Sequence, residues 1–382
     1  MKKIIAVILL MFTFCTNIFS QTINQTLQSD SIVQLKFLDE YDVSNGKEFM
    51  GTTIGGLSGI DYDAKRDVYY LISDDRSAIN PARFYSAKIY VGQNKIDSVE
   101  FIDVKSLLQK NGKPYPNSKQ DPFHTPDPED MRYDPKKDEM VWSSEGERIV
   151  KPGNNVLEDP SVIAIDRNGK YKAGFSLPAN MHMHETENGP RQNSVFEGLT
   201  FTDDYKYLFV SVEEPIYEDG PRAGPGDSTA LIRILKFNSK TRKPIAQYAY
   251  QIEPVAYPPI PSNAFKINGV SDILWVGENQ LMVIERSFST GRLACTIRIF
   301  LADMNNAADI AGVQSLRSQP ALKPVSKKLL LNMDDLHRYI DNIEGVTFGP
   351  VLSNGHRTLL FVADNNFSPI QRNQFLLFEI IP

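Results

Sequence analysis

An all-β propeller of five four-stranded blades, its ring closed by the N-terminal strand, is the fold this sequence predicts. Three observations predict it. A sequence unit recurs at steps of 68 to 74 residues, each unit carries strand-like runs at matching places, and one further strand at the start belongs to no unit.

The chain opens on a targeting pattern. Lys2 and Lys3 precede an apolar run from Ile4 to Phe14, and the small Ser20 stands just before Gln21. That run is too short to span a bilayer, so residues 1–20 read as a cleaved signal peptide of a secreted or periplasmic protein. Lipid attachment through Cys15 is disfavoured by the bulky Phe14 before it. Removal of the signal leaves Cys295 alone, so no internal disulfide is expected and stability must come from a large packed core. Residues 21–30 read as a short extension and 31–382 as one propeller domain. No later stretch is long and apolar enough for a transmembrane helix.

Ile32–Tyr41 is the strand without a unit. The units are marked by Leu57, Met131, Leu199, Ile273 and Val346, in Gly55-Gly-Leu-Ser, Glu129-Asp-Met-Arg, Glu197-Gly-Leu-Thr, Ser271-Asp-Ile-Leu and Glu344-Gly-Val-Thr. A second run follows each marker and ends in acid: Val68–Ile72 before Asp74, Met140–Ser143 before Glu145, Leu208–Val212 before Glu213, Leu281–Ile284 before Glu285, and Leu360–Ala363 before Asp364. Between the two lie turn-forming segments such as Asp63-Ala-Lys-Arg-Asp and Asp134-Pro-Lys-Lys-Asp.

Third runs begin at Arg83, Val162, Leu231, Thr296 and Phe375; fourth runs begin at Ser98, Tyr171, Ile245 and Val325. The last unit ends at Pro382 without a fourth, which the N-terminal strand would supply, protecting the sheet edges. A sixth blade stays open as an alternative if a long insertion hides a divergent unit. Short helices are expected over Val104–Lys110 and Met333–Ile340, and the Pro-rich 114–128 and 254–261 are expected to be ordered loops.

With 41 Lys+Arg against 47 Asp+Glu and no basic stripe, nucleic acid is not an expected partner. Chemistry is expected at one mouth of the channel. Antiparallel neighbours place the start of the innermost strand beside the end of the second. That gathers Glu129, Glu197 and Glu344 with Asp74, Glu145, Glu213, Glu285 and Asp364. So many carboxylates need cations or arginines among them. Ca²⁺ suits an oxygen-rich set, and Arg76, Arg83, Arg191 and Arg286, with Arg148 and Arg222, are candidates to face the same side and hold an anion. Acids beside blade turns also serve simply as acceptors for backbone N–H groups of the next blade.

His182 and His184 alternate as on a strand but lack a third metal ligand, His124 and His337 read as surface residues, and Cys295 as a core filler. There is no Gly-x-Ser-x-Gly elbow, phosphate loop or dinucleotide fingerprint.

At Phe196-Glu-Gly-Leu-Thr-Phe, Leu281-Met-Val-Ile-Glu-Arg and Ile343-Glu-Gly-Val-Thr-Phe, together with Gly56-Leu-Ser-Gly-Ile-Asp-Tyr-Asp and Arg83-Phe-Tyr, the chain resembles the secreted phytase-like family, described as esterase-like activity of phytase. The resemblance runs from about Leu57 to Pro382. It implies a propeller and hydrolysis of an ester or phosphoester, without fixing the substrate.

The leading expectation is a monomeric, metal-assisted hydrolase of a small anionic ester, a phosphoester first. In it Glu197, Glu344, Glu129 and Asp364 serve as ligands or general base, and Arg286, Arg76 and Arg191 hold the anion. A calcium-dependent lactonase or arylesterase, to which Asn365 and Asn366 beside Asp364 would be suited, is the second reading. A non-catalytic binding propeller is the third.

Overall fold

The computed structural model describes residues 32–226, 229–318 and 322–382. The signal-peptide segment lies outside them. β1 (Gln34–Val43) is followed by a small hairpin, β2 (Glu48–Phe49) and β3 (Thr52–Thr53). Blade 1 is β4 (Leu57–Asp63), β5 (Val68–Ser73), β6 (Arg83–Val91) and β7 (Ile96–Ser106). Blade 2 is β8 (Pro128–Asp134), β9 (Glu139–Ser144), β12 (Ser161–Ile165) and β13 (Tyr171–Gly174), with the hairpin β10 (Glu147–Ile149) and β11 (Val156–Glu158) inserted. Blade 3 is β14 (Phe196–Phe201), β15 (Tyr207–Val212), β16 (Leu231–Asn238) and β17 (Lys243–Gln251). Blade 4 is β18 (Lys266–Gly277), β19 (Gln280–Ser289), β20 (Thr296–Asp303) and β21 (Ser326–Asn332). Blade 5 is β22 (Asn342–Phe348), β23 (Thr358–Asp364) and β24 (Asn373–Ile381), completed on its outer edge by β1. The ring therefore closes through the N-terminal strand, and no sixth four-stranded sheet occurs among the described residues.

The turns form where short acids can bond the backbone ahead of them. Asp63, Asp134 and Asp204 each accept from amides two or three residues on. Period-two patterning then buries both faces of a blade. In β15, Leu208, Val210 and Val212 pack toward blade 2, while Phe209 packs toward blade 4. Five large apolar clusters result, one between each pair of neighbouring blades. The free Cys295 is buried in the one between blades 4 and 5.

Two expected helices resolve differently. Val104–Ser106 continues β7, and Leu108 makes only a bridge to Pro114. Of Met333–Ile340, only Met333–Leu336 is a 3₁₀ turn, capped by the Asn332 side chain.

Register corrects the repeat in blade 1. The markers Met131, Leu199, Ile273 and Val346 pair with Trp142, Val210, Val283 and Phe361. Their counterpart is Ile60, opposite Leu71, and not Leu57. Every inner strand carries a register shift just before this residue, a bulge that turns the preceding side chains toward the ring axis.

The axis itself is filled. Arg132, in the inner strand of blade 2, is 2% exposed. It donates to the carbonyls of Ile60, Leu199, Ile273 and Val346, the marker of each other blade, and to both oxygens of Asp272 at 2.7 Å. Asp130 and Asp272 each accept the marker amide of the following blade, Leu199 and Val346. Gly198 must be glycine here, because a Cβ would stand 2.5 Å from Asp272.

Candidate functional site

Counting from the markers gives two rings of positions at the mouth above Arg132. Two residues before the marker stand Ser58, Glu129, Glu197, Ser271 and Glu344. Three residues after the marker's partner stand Asp74, Glu145, Glu213, Arg286 and Asp364. The serines brace their neighbours: Ser58 donates to the Glu129 carbonyl and Ser271 to that of Ile343.

The carboxylates divide into two groups. Asp74, Asp127 and Glu129 have oxygens within 4.8 Å of one another, and so do Glu129, Glu145 and Glu197. Glu129 belongs to both sets, so five acids share one crowd. Burial, followed by the neighbouring acids, pushes the carboxyls of Asp74, Glu129, Glu145 and Glu197 well above the ordinary range. Burial likewise raises Asp127 to about 6, against the pull of Arg76. That arginine reaches Asp127 at 3.7 Å and Glu147 at 2.5 Å, at the edge of the crowd.

The second group is built on Arg286. It bonds Glu213 at 2.7 Å, Glu344 at 2.9 Å and the side-chain Oδ1 of Asn342 at 2.6 Å. Asn342 in turn donates to Glu344 Oε1, while Glu344 Oε2 is buried with no partner among the described residues. Burial raises the Glu344 carboxyl even though Arg286 lowers it. Asp364 accepts from the Asn366 amide, and burial beside Glu344 pushes it well up.

A cavity of about 530 Å³ opens beside this group, with Glu213, Arg286, Asn342 and Asn366 in its lining. Cys295 also faces it, but burial pushes its thiol up to about 12, which removes it as a nucleophile.

Three expected site residues lie elsewhere. Glu285 is buried away from the mouth, held by Tyr250, Lys327 and Asn268. Neighbours along a strand point oppositely, and in β19 the residue at the ring position is Arg286. Arg83 is 1% exposed, locked to Asp75 at 2.7 Å, the Tyr85 hydroxyl and the Thr53 carbonyl. Arg191 is spent on the carbonyls of Pro215 and Gly220 and lies over the Tyr217 ring. Asn365 braces the Gly56 amide, so only Asn366 lines the cavity.

Arg148 and Arg222 line a neighbouring pocket, Arg148 bonding the His184 carbonyl and Arg222 pairing with Glu214. His182 pairs with Asp159 at 2.6 Å, and among the described residues no histidine joins a group of metal-ligating side chains. His124 and His337 are exposed.

Asp127 was not read from the sequence as part of the site, nor were Asn342 and the axial Arg132. Asp127 stands two residues before Glu129 in an acid-rich segment, which was the available signal. Arg132 follows the blade 2 marker, where the other blades carry Asp, Thr, Leu and Thr; that difference marked it.

Residues 52–367 match the sequence profile of the family described as Phytase-like: Esterase-like activity of phytase. No curated protein matches in sequence. Among solved structures, the periplasmic gluconolactonase of Pseudomonas aeruginosa is 11% identical, with TM-score 0.36 over 92% of this chain and 97% of that one. A gluconolactonase from Xanthomonas campestris is 11% identical, TM-score 0.34, over 85% and 71%. An α-L-arabinofuranosidase from Lactobacillus brevis is 11% identical, TM-score 0.43, over 85% and 91%.

Proposed function

The chain belongs to the phytase-like family, and from that premise we propose that it hydrolyses esters, phosphoesters first, with a divalent cation held at the acidic mouth. One observation carries this reading. Five acids, the half-buried Asp74 and the buried Asp127, Glu129, Glu145 and Glu197, crowd together with Arg76 at their edge. Buried like charges at this spacing stay protonated or take up a cation.

The donor set fits a hard cation, being all oxygen and all carboxylate, and Ca²⁺ is the ion it suits best. When bound, such an ion supplies a positive charge that polarises an ester oxygen and favours the ionised form of water. The chain's own groups would do the rest. Arg286 would orient the substrate anion over the floor. Glu344, with Oε1 tied to Asn342 and Arg286 and Oε2 unpartnered, would take the proton from the attacking water. In the balance of the step, water oxygen bonds to phosphorus as a water proton passes to Glu344, the P–O bond to the alcohol breaks, and that proton is given up to the departing alcohol oxygen, leaving Glu344 ionised again. The Lys2–Ser20 pattern would place this chemistry outside the cytoplasm.

A neutral carboxylic ester or lactone is the second reading, favoured by the amides of Asn342 and Asn366 in the cavity. Activity on phenyl phosphate, phenyl acetate and a lactone, measured before and after chelation, separates the cases. Phosphatase activity lost on chelation, restored by calcium and lowered at least about tenfold in kcat by Glu344→Gln is expected. Chelator-resistant turnover would refute the metal, and no turnover of any ester leaves a binding module.

A further inference from the structure

The cavity at the mouth has two unlike walls. Blade 4 and the segment leading into it contribute Phe265, Ile267, Phe288 and Leu293, with the Phe265 and Phe288 rings 6.2 Å apart. The blade 5 side contributes Asp341, Asn342, Asn366 and Gln371. Phe265 is 60% exposed and Leu293 83%, and Ile370, facing them from blade 5, is 78% exposed. Single exposed apolar side chains are ordinary, but three around one cavity form a surface that water wets poorly. The cavity is continuous with Glu213 and Arg286, so its apolar wall and its charged floor meet one ligand. A volume of about 530 Å³ exceeds what a bare phosphate requires.

Resting on the hydrolase reading above, we infer that the ester taken at this site carries an aromatic or comparably flat apolar group against Phe265, Phe288 and Leu293, and is not the ester of a sugar or polyol. A polyol laid on Phe265, Phe288 and Leu293 would lose water from its hydroxyls and find no acceptor among them: Arg292, beside Leu293 and stacked over Tyr257, offers only donors, and the amides and acids of the lining come from blades 3 and 5. An aromatic ring loses nothing comparable and gains edge or offset contact with two phenylalanines. The wall thus sets specificity while Arg286 and the acids handle the anionic end.

The test has a binding arm and a turnover arm, both on the calcium-loaded mature protein. Phenylphosphonate and methylphosphonate, whose P–C bonds resist hydrolysis, are titrated calorimetrically. Phenyl phosphate and glycerol phosphate are compared by kcat/KM. Phe265→Ala and Leu293→Ser, singly and together, remove the wall at exposed positions, with folding checked by melting temperature. Phenylphosphonate should bind at least about tenfold more tightly than methylphosphonate, and the double variant should shrink that ratio below about threefold. The turnover ratio should move in parallel, through KM. Equal affinity for the two phosphonates, binding of neither, or variants that weaken both alike would overturn the inference. A phenyl preference that the variants abolish, in a protein that turns over no ester, would sink the hydrolase reading and leave the apolar wall standing. Turnover of phosphate esters without any aryl preference would do the reverse.

Discussion

Glu158 lies in β11 with its Oε2 buried and without a partner among the described residues. Burial pushes its carboxyl up to about 8, with Arg76 pulling the other way and Asp127 and Glu147 adding to the rise. The folded chain therefore holds a proton that the unfolded chain releases near pH 4.5. A raised pKa contributes stability below the unfolded value and loses it as pH climbs through the folded one. Between about pH 5 and 8 this residue should make the protein progressively less stable. Glu158→Gln should match the parent near pH 5 and exceed it near pH 8 by roughly 1–3 kcal/mol, a few degrees in Tm. Thermal melts across that range check it, and a constant difference would show that the carboxyl is solvated. The same competition between burial and neighbouring charge governs the mouth, where Arg286 holds Glu213 and Glu344, Arg76 reaches Asp127, Glu145 accepts the Val195 amide, and Asp74, Glu129 and Glu197 have no ion pair among the described residues.

At the scale of elements, β1 is the piece whose loss the ring should tolerate least. It pairs with β24 from Gln34 to Val43 and buries Leu35 against the core between blades 4 and 5. Deleting residues 32–43 leaves β24 as a bare edge and uncovers that core. The truncated protein should aggregate, or melt about 10 °C or more below the parent; an unchanged melting curve would refute the closing role. This strand was legible in advance, because an unmatched strand at one end and a missing one at the other have a single economical solution. So were most of the second, third and fourth strands, whose β-branched runs and turn acids signal their own positions. Register was not legible. Gly55-Gly56-Leu57 imitates the unit three residues too early, since the bulge that fixes Ile60 as the true counterpart is set by contacts with blades 2 and 5. Blade 4 hid its ring position for a related reason. Glu285 looks like the repeated acid, yet a one-residue difference in strand register sends it to the opposite face and presents Arg286. Arg83 and Arg191 carried the right charge beside the right strands, but pairing with Asp75 and with loop carbonyls depends on side-chain reach that spacing does not encode.

Over the whole molecule, positive charge on the axis is concentrated at two depths. Arg132 lies deeper, among the marker carbonyls with Asp130 and Asp272, and joins the inner strands of all five blades. Arg286 lies in the mouth ring and serves only the blade 3 and blade 5 acids, Glu213 and Glu344. The crowd of Asp74, Asp127, Glu129, Glu145 and Glu197 has no ion pair among the described residues beyond Arg76 at its edge, so the ring is electrostatically lopsided, and a bound cation would complete it. That asymmetry yields a stability test independent of turnover. Calcium binds only where the folded ring assembles its ligands, so it should raise Tm in proportion to the logarithm of its concentration over Kd, about 2.7 kcal/mol at one hundred times Kd. Glu197→Gln replaces a shared carboxylate of the crowd by a neutral amide. Without calcium this variant should melt at or above the parent, because it removes a buried like charge. With calcium the order should invert, the parent rising by several degrees and the variant by much less. If Glu197 merely accepted hydrogen bonds from a neighbouring blade, the substitution would lower Tm equally in both conditions. Scanning calorimetry of parent and variant, each with calcium and with chelator, gives the four values needed; a parent indifferent to both would remove the cation from the mouth.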